Sequence, residues 1–342
     1  MREFDAIFIG AGQAGPFLAA RMAAIGRKVA LIERKYLGGT CVNAGCMPTK
    51  TLVSSARSAH MARRAADFGV LIGGEICMDM KAVRARAAKV TLDVRNGLRD
   101  WFAGLDTMTV IDGHARLENA KTISVEGDRM TAPQIFLNVG ARSSIPNYPG
   151  LADVPYLTST SIIQLDSLPR HLLVIGGSHI GLEFAQMYRR FGAQVTILER
   201  GSRVASREDA DISASIAAIL QSEGIAIHTN VSKLSFERAG GEIAVETNDG
   251  SILASHVLVA TGRQPNTDDL GLEAAGVEVD KRGFVVVDNR LATNVDGIWA
   301  LGDCNGRGAF THTSYNDFEI VAANLLDGAD RRVSDRVPAY AL

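Results

Sequence analysis

The sequence predicts an α/β protein in which a β-α-β unit occurs near the N-terminus and again near the middle of the chain. Residues 4–33 have the pattern of an apolar strand, a glycine-rich turn, a helix of small residues and a second strand. Residues 171–199 repeat this order. A glycine-rich turn between strand and helix is typical of nucleotide binding, so the repeat predicts two nucleotide-binding units. The predicted strands of these units lie at 4–9, 28–33, 171–175 and 194–199, and the second helix lies at 182–191.

The segments between and after these units supply further elements. Two stretches without proline that are rich in Ala, Arg, Leu and Val predict long helices at 49–66 and 80–102. Residues 144–155 contain three prolines and predict a linker. Further strands are predicted at 108–111, 135–139 and 297–301, and a last helix from about Ser314.

Length and composition narrow the class of protein. A chain of 342 residues divides into about two or three domains. Its 36 basic and 38 acidic residues leave a net charge of −2, so no broad field attracts nucleic acid or an anionic membrane. The N-terminal residues lack the pattern of a signal peptide, and no apolar run approaches the roughly 20 residues that span a bilayer. We therefore expect a cytoplasmic protein without nucleic-acid or membrane partners.

The first glycine-rich turn carries the fingerprint of dinucleotide binding. Gly10, Gly12 and Gly15 follow the strand and open the helix, and Glu33 ends the next strand, about 20 residues on. The glycines permit a tight turn and let a pyrophosphate approach the helix N-terminus, where N–H groups and the helix dipole favour anions. Glu33 can accept a hydrogen bond from a ribose hydroxyl. A plain glycine turn is the alternative interpretation.

The second turn is a weaker copy of the first. Gly176 and Gly181 occupy the outer positions of the pattern, but Ser178 replaces the middle glycine. Glu199 ends the following strand and suits the unphosphorylated ribose of NADH. The arginines after it, of which Arg200 is the first, could instead accept the 2′-phosphate of NADPH. The sequence slightly favours NADH.

Two of the four cysteines stand close together before a predicted helix. Four residues separate Cys41 from Cys46, and Lys50 follows in the same segment. In a regular helix the Cα atoms of such a pair would lie about 8 to 9 Å apart, whereas a disulfide needs less than about 7 Å. The backbone must therefore bend, and Gly45 is the expected place. A thiol at a helix N-terminus near a lysine favours the thiolate that disulfide exchange or transfer to a flavin requires.

A zinc site is the other use of a close cysteine pair. His60 is the only histidine nearby, and the other two cysteines, Cys77 and Cys304, form no second pair in the sequence. Because four ligands cannot be assembled, the sequence predicts redox-active cysteines and no metal site.

The segment around these cysteines resembles the disulfide motif of the class I pyridine nucleotide-disulfide oxidoreductases, the family of glutathione reductase, dihydrolipoamide dehydrogenase and mercuric reductase. Residues 41–50, Cys-Val-Asn-Ala-Gly-Cys-Met-Pro-Thr-Lys, are most similar to mercuric reductase-like members. Five motifs also follow the family's order: the first glycine turn, the cysteine pair, the second glycine turn, and the segments 260–263 and 300–303. This order is more specific than any single motif.

The resemblance implies two Rossmann-like domains of the glutathione reductase type, the second inserted in the first, which bind FAD and NADH or NADPH. The FAD-binding domain would comprise residues 1–150 and a return segment at 283–330. The NAD(P)-binding domain would comprise residues 151–282. Residues 331–342 would begin a dimerisation domain that the sequence lacks.

In the family, the dimerisation domain supplies a His-Pro dipeptide to the partner's active site, where the histidine is a general base. No His-Pro occurs in this sequence. We therefore expect slow turnover with a disulfide substrate, and a homodimer only for a full-length chain.

The resemblance also implies roles for individual side chains. Cys41 would be the interchange thiol that faces the substrate, and Cys46 would lie against the flavin as the charge-transfer thiolate. Lys50 would lie near flavin N5, paired with Glu183, and Asp303 would hydrogen-bond ribityl or ribose hydroxyls of FAD. The expected FAD contacts are Gly10, Gly12, Gly15, Glu33, Gly39, Thr40, Lys50, Gly140, Asp303 and His312. The expected NAD(P) contacts are Gly176, Ser178, His179, Gly181, Glu199, Arg200 and Gly262.

Several of these residues have simpler alternative roles. Lys50 and Glu183 could form a solvated ion pair, and Asp303 could cap the helix that follows it. His179 stands where many relatives carry a tyrosine that gates the nicotinamide pocket, and a surface histidine is the alternative. For His312, a core or helix-capping role is favoured over a flavin contact.

The resemblance implies that electrons pass from NAD(P)H through FAD to a Cys41–Cys46 disulfide, and then to a disulfide or a soft metal ion. The acceptor would be a small molecule or a metal ion such as Hg(II). An NAD(P)H oxidase or diaphorase that does not need the cysteines is one alternative function. A nucleotide-binding fragment without turnover is another.

Overall fold

A computed structural model describes residues 1–337 and 339–340 and divides them into two compact units. The first unit consists of Met1–Asn43, Thr91–Arg142 and the described chain from Arg263 onward. The second unit consists of Ala44–Val90 and Ser143–Gly262. The chain therefore leaves the first unit twice and returns to it twice.

The described residues contain eight α-helices and eighteen strands. None of these helices is long and apolar enough to cross a membrane. The helices are α1 (Gly15–Ala24), α2 (Gly39–Asn43), α3 (Cys46–Arg63), α4 (Met80–Ala103), α5 (His179–Phe191), α6 (Ala210–Ser222), α7 (Leu272–Ala275) and α8 (Thr311–Leu326).

The strands are short, and most have two to five residues. They are β1 (Arg2–Glu3), β2 (Ala6–Ile9), β3 (Val29–Glu33), β4 (Met108–Asp112), β5 (Ala115–Leu117), β6 (Thr122–Val125), β7 (Asp128–Thr131), β8 (Gln134–Leu137), β9 (Ala141–Ser143), β10 (His171–Ile175), β11 (Gln194–Leu198), β12 (Ala226–His228), β13 (Leu234–Ala239), β14 (Glu242–Thr247), β15 (Gly250–Ala254), β16 (His256–Val259), β17 (Arg263–Pro265) and β18 (Ile298–Ala300).

The first unit is built on a five-stranded sheet in the order β18-β8-β2-β3-β4, in which every neighbouring pair is parallel. Apart from Glu33 and Gln134 at strand ends, its inner strands are apolar, as expected for a parallel sheet that is buried on both faces. Phe136 on β8 stacks against Phe8 at 4.5 Å and against Trp299 at 5.1 Å. A smaller sheet, β1-β7-β6-β5, belongs to the same unit.

The second unit combines a parallel sheet, β12-β11-β10-β16, with an antiparallel sheet, β13-β14-β15. Helices α3 and α5 share one buried cluster with the parallel sheet, and the hydroxyl of Tyr188 donates a hydrogen bond to the Ile162 carbonyl at 2.8 Å. The segment predicted as a linker buries Leu151 and Val154 among the strands of this unit.

The predicted α/β class and the two β-α-β units are confirmed, with β2-α1-β3 and β10-α5-β11 forming parallel pairs. Helix starts differ from the predicted positions, and helix α6 and the antiparallel sheet β13-β14-β15 were not predicted. Helix α3 begins at Cys46 instead of Thr49, and α5 begins at His179 instead of Leu182. Pro48 is compatible with the first turn of α3 because N–H groups there have no partner within the helix.

Candidate functional site

The first glycine-rich turn joins β2 to α1 and leaves no room for a Cβ at its three glycines. Gly10 has φ +98°, and a Cβ on it would lie 2.4 Å from the carbonyl oxygen of Asn138. A Cβ on Gly12 would lie 2.9 Å from Asn138 Oδ1, and one on Gly15 would lie 2.9 Å from the Gly10 oxygen. The predicted glycines therefore stand where larger residues would clash. The tight turn that results leads into the N-terminus of α1, whose N–H groups favour an anionic ligand.

Glu33, the last residue of β3, holds this turn with its carboxylate. Glu33 Oε2 accepts a hydrogen bond from the N–H of Ala11 at 2.9 Å, and Oε1 accepts one from the N–H of Lys35 at 2.8 Å. Each carboxylate oxygen has a further lone pair. Glu33 therefore keeps acceptor capacity for a ribose hydroxyl.

Two more predicted glycines lie at this edge of the first unit. Gly39 begins α2 with φ +61°, and a Cβ on it would lie 2.8 Å from the Cα of Gly12. Thr40 follows it and is exposed. Gly140, with φ +66°, comes shortly after β8, the parallel neighbour of β2. The carboxyl edge of such a sheet is where dinucleotides bind, and the glycine-lined turn with its carboxylate fits FAD.

Asp303 lies in the 3₁₀ turn Gly302–Asn305, which follows β18 at the same sheet edge. Its carboxylate pairs with Arg263 at 3.3 Å, and 21% of its side chain is exposed. Burial raises the pKa of Asp303, although the nearby Arg263 guanidinium lowers it. The N-cap of α8 is Phe310, so Asp303 does not cap that helix.

His312 is the second residue of α8 and is exposed. Its ring stacks on that of Phe310 at 5.4 Å. The sequence favoured a core or helix-capping role, and the core position is wrong for this exposed histidine. Its contact with a flavin stays a prediction.

The two predicted redox cysteines flank a break between helices. Cys41 belongs to α2 and is partly exposed, whereas Cys46 is the first residue of α3 and is exposed. Gly45 has φ −129° and ψ −122°, which continues neither helix. The bend predicted at Gly45 is therefore present. Cys46 lies at a helix N-terminus, where a thiolate is favoured.

Lys50 and Glu183 are brought together within the second unit. The Lys50 ammonium group donates a hydrogen bond to Glu183 Oε1. The Lys50 side chain is 66% exposed and that of Glu183 is 30% exposed. The pairing predicted between these residues is present. Its exposure also suits a solvated ion pair, so the redox role stays a prediction.

The second glycine-rich turn repeats the geometry of the first. Gly176 has φ +107°, and a Cβ on it would lie 2.5 Å from the carbonyl oxygen of Ala260. A Cβ on Gly181 would lie 2.0 Å from the Gly176 oxygen. Ser178 is the N-cap of α5 with φ −89° and ψ 171°, although its side chain makes no capping hydrogen bond. Its hydroxyl lies 3.4 Å from Nδ1 of His179, which is exposed.

Glu199 holds the second turn as Glu33 holds the first. Its Oε2 accepts a hydrogen bond from the N–H of Gly177 and its Oε1 accepts one from the N–H of Gly201, each at 2.6 Å. The two carboxylates therefore occupy similar positions in the two units: Glu33 is the last residue of β3, and Glu199 directly follows β11.

The basic residues after Glu199 lie at the surface. Arg200 is exposed. The Arg203 guanidinium donates hydrogen bonds to the carbonyl oxygens of Ser206 and Glu208, each at 3.2 Å. Gly262, with φ +145°, lies shortly after β16 and is exposed.

Two buried polar residues near the first glycine-rich turn were not predicted from the sequence. Asn138 is 5% exposed and Asp317 is 2% exposed, and both hydrogen-bond the backbone immediately before Asp303. For Asn138 a signal existed, because a polar residue interrupts the apolar run 135–139.

The other two cysteines, Cys304 and Cys77, do not lie at the break between α2 and α3. Cys304 is fully buried, and burial raises the pKa of its thiol to about 12. Cys77 lies exposed in the loop before α4.

Comparisons with known proteins agree with this geometry. Residues 4–317 match the family described as pyridine nucleotide-disulphide oxidoreductase. The probable pyridine nucleotide-disulfide oxidoreductase RclA of Escherichia coli (strain K12) is 38% identical over 343 residues, which cover 98% of this chain and 74% of RclA. The mercuric reductase of Streptomyces lividans is 40% identical over 346 residues, which cover 96% of this chain and 71% of that enzyme.

A solved structure shows the same fold. It is the Cu(II) complex of the HOCl-induced flavoprotein disulfide reductase RclA from Escherichia coli, which superposes with a TM-score of 0.90 at 37% sequence identity. The superposition covers 98% of this chain and 74% of the other.

Proposed function

This chain belongs to the pyridine nucleotide-disulphide oxidoreductases, and we propose that it is an FAD-dependent NAD(P)H oxidoreductase with a redox-active Cys41–Cys46 disulfide. The observation that carries the proposal is the position of the two cysteines on either side of the break between α2 and α3. A regular helix would keep such a pair too far apart for a disulfide.

FAD binds at the first glycine-rich turn in this proposal. The backbone around Gly10, Gly12 and Gly15 receives the pyrophosphate, and Glu33 accepts a bond from a ribose hydroxyl. Asp303 accepts bonds from ribityl or ribose hydroxyls. When bound, FAD supplies the relay between a hydride donor and a disulfide. The further proposed contacts are Gly39, Thr40, Lys50, Gly140 and His312.

The cysteines have different tasks in the proposal. Reduction of the disulfide by two electrons releases two thiol groups. Cys46, at the N-terminus of α3, holds its sulfur as a thiolate. Cys41 is the interchange thiol that attacks a disulfide or binds a soft metal ion. The Lys50–Glu183 pair keeps a positive charge available near the redox groups.

NADH is the proposed coenzyme. The carboxylate of Glu199 is fixed by two backbone N–H groups, and a fixed negative charge suits a 2′-hydroxyl and repels a 2′-phosphate. Arg203 already donates to two carbonyl oxygens. The nicotinamide nucleotide would also contact Gly176, Ser178, His179, Gly181, Arg200 and Gly262.

The proposed electron acceptor is a disulfide or a soft metal ion. Two relatives support the metal ion: one is a mercuric reductase, and the other was solved as a Cu(II) complex. Thiolate sulfur is a soft ligand that selects soft ions, which for copper means Cu(I), the product of Cu(II) reduction.

Replacing the cysteines one at a time tests the proposal. In FAD-loaded protein reduced under nitrogen, Cys46→Ser should abolish the long-wavelength absorbance of a thiolate beside an oxidised flavin and leave FAD bound. Cys77→Ser is the matched control, because Cys77 is also exposed and should leave the spectrum unchanged. Persistence of the band in Cys46→Ser would contradict the assignment.

The same variants separate the alternative functions. Reduction of Hg(II), Cu(II) or a disulfide by NADH should fall at least about 100-fold in Cys41→Ser, because the attacking thiolate is lost. Unchanged NADH oxidation with oxygen or quinones in this variant would identify a diaphorase. Binding of both nucleotides without any hydride transfer would identify a nucleotide-binding fragment.

A further inference from the structure

Asn138, the residue after β8, connects two parts of the first unit that lie far apart in the sequence. Its Oδ1 accepts a hydrogen bond from the N–H of Gly15 at 2.9 Å, and its Nδ2 donates one to the carbonyl oxygen of Leu301, also at 2.9 Å. The side chain is buried. One amide group therefore ties the first glycine-rich turn to the residue that leads into Gly302 and Asp303.

Asp317 on α8 binds the other side of the same segment. Its Oδ2 accepts hydrogen bonds from the N–H of Gly302 at 2.8 Å and from Nδ2 of Asn305 at 2.9 Å. Its Oδ1 pairs with the guanidinium of Arg336. A buried carboxylate is costly unless it is hydrogen-bonded and paired, and this one has donors on both oxygens.

Together the two side chains hold one peptide group. The carbonyl oxygen of the Leu301–Gly302 peptide is bound by Asn138, and its N–H is bound by Asp317. Because a peptide is planar, fixing both groups fixes the plane of the peptide and the direction in which the chain enters Asp303. Gly302 has φ +75°, a conformation that side chains rarely adopt.

The second unit shows that the turn itself does not need an asparagine at this place. There Ala260 occupies the corresponding position: its N–H donates to the Ile175 carbonyl at 2.8 Å, as the N–H of Asn138 donates to the Ile9 carbonyl at 2.8 Å. A glycine-rich turn of the same geometry thus forms beside an alanine. The amide of Asn138 serves a purpose that is specific to the first unit.

We infer that Asn138 and Asp317 are positioning residues that clamp the Leu301–Gly302 peptide and thereby orient Asp303 toward the hydroxyl groups of FAD. This inference rests on the proposed function, because it takes FAD as the ligand of Asp303. Neither side chain needs to touch the cofactor for the clamp to act.

The test compares FAD affinity in reconstituted protein. Asn138→Ala should weaken FAD binding by roughly 10- to 100-fold, because it removes two buried hydrogen bonds. It should leave NADH affinity, which belongs to the second unit, within about twofold of wild type. Asn266→Ala is the matched control: it also removes an amide donor to a backbone carbonyl, that of Val139, but does not touch the clamped peptide. It should change FAD affinity by less than about threefold.

A double-mutant cycle with Asp303→Asn separates positioning from general stability. If Asn138 acts through Asp303, Asn138→Ala should cost at least about threefold less affinity in the Asp303→Asn background than in wild type. The same cost in both backgrounds, or unchanged FAD affinity in Asn138→Ala, would overturn the clamp while leaving FAD binding established. If Asn138→Ala fails to fold, Asn138→Asp replaces it in the test. The aspartate still accepts the hydrogen bond from Gly15 but places an oxygen against the Leu301 carbonyl oxygen, so the same loss of FAD affinity is expected. Wild-type protein that takes up no FAD would overturn the proposed function and the clamp together.

Discussion

Lys50 and Glu183 form an ion pair in the second unit although 133 positions separate them. An ion pair with this exposure contributes about 0 to 1 kcal/mol to stability, so stability alone gives little reason for it. Glu183→Gln should therefore change the melting temperature by less than about 3 °C.

The expected effect of Glu183→Gln on electron transfer is larger. Loss of the partner lets the Lys50 ammonium move, and flavin reduction by NADH in stopped-flow measurements should slow by about tenfold. Asp166→Asn is the control, because it removes an exposed ion pair with Arg84 in the same unit. Equal rates in Glu183→Gln and wild type would identify a solvated pair without a redox role.

The carboxylate of Glu199 should determine coenzyme preference. Glu199→Gln removes the negative charge and one of the two oxygens that accept backbone N–H bonds, and the ratio of kcat/KM for NADH over NADPH should fall by about tenfold. Glu33→Gln makes the equivalent change in the first unit. It should weaken FAD binding and leave the coenzyme ratio unchanged. A ratio that does not move in Glu199→Gln would contradict the assignment of Glu199 to the ribose.

Asp303 should lower the stability of the FAD-free protein and strengthen the binding of FAD. Burial raises its pKa, so the folded protein holds this proton more tightly than the unfolded chain does. The ionised carboxylate therefore opposes folding as the pH rises through its folded pKa, and this cost disappears below its unfolded pKa of about 4. Asp303→Asn should raise the melting temperature of FAD-free protein at pH 7 by roughly 1 to 3 °C. The gain should shrink as the pH falls toward about 4.

Asp303→Asn should also weaken FAD binding by about 10- to 100-fold, because a charged acceptor for hydroxyl groups is lost.

Asp268→Asn is a control for which the opposite change in melting temperature is expected. The hydrogen bond from Arg142 lowers the pKa of Asp268, so its ionised form supports folding at neutral pH. Its replacement should lower the melting temperature at pH 7. A lower melting temperature in both variants would refute the account of Asp303.

The four cysteines should differ in reactivity. Iodoacetamide at pH 8 should modify Cys77 in the oxidised protein, since it is exposed. Cys41 and Cys46 should react only after reduction. Cys304, whose pKa burial raises to about 12, should react only in denaturant. Peptide mapping by mass spectrometry reads all four sites, and modification of Cys41 and Cys46 without reductant would exclude the disulfide.

The sequence predicted all five strands of the parallel sheet in the first unit, and β10 and β11 in the second, because their signals are local; β12 and β16 were not predicted. Strand β10 has the predicted bounds, because the start of an apolar run marks its beginning and the glycine after the run marks its end. The antiparallel strands β13, β14 and β15 were not predicted. Their residues are partly exposed and mixed in polarity, so the apolar pattern that marks a buried strand is weak there.

In the candidate site, too, some residues could be predicted from the sequence and others could not. The glycines, the acidic residues Glu33 and Glu199 and the cysteine pair stand in short motifs whose spacing carries the chemistry. Asn138 and Asp317 carry no such motif. The partners of Asn138 lie 123 and 163 positions away, and its role becomes visible only when the sheet brings these segments together.

An anaerobic titration of the FAD-loaded protein with NADH, and separately with NADPH, tests the central claim most directly. We expect a long-wavelength absorbance band to appear before the flavin bleaches, because electrons reach the Cys41–Cys46 disulfide and leave a thiolate beside oxidised FAD. NADH should be the more effective reductant. Simple bleaching after one equivalent of nucleotide, with no such band at any stage, would contradict a redox-active disulfide in this protein.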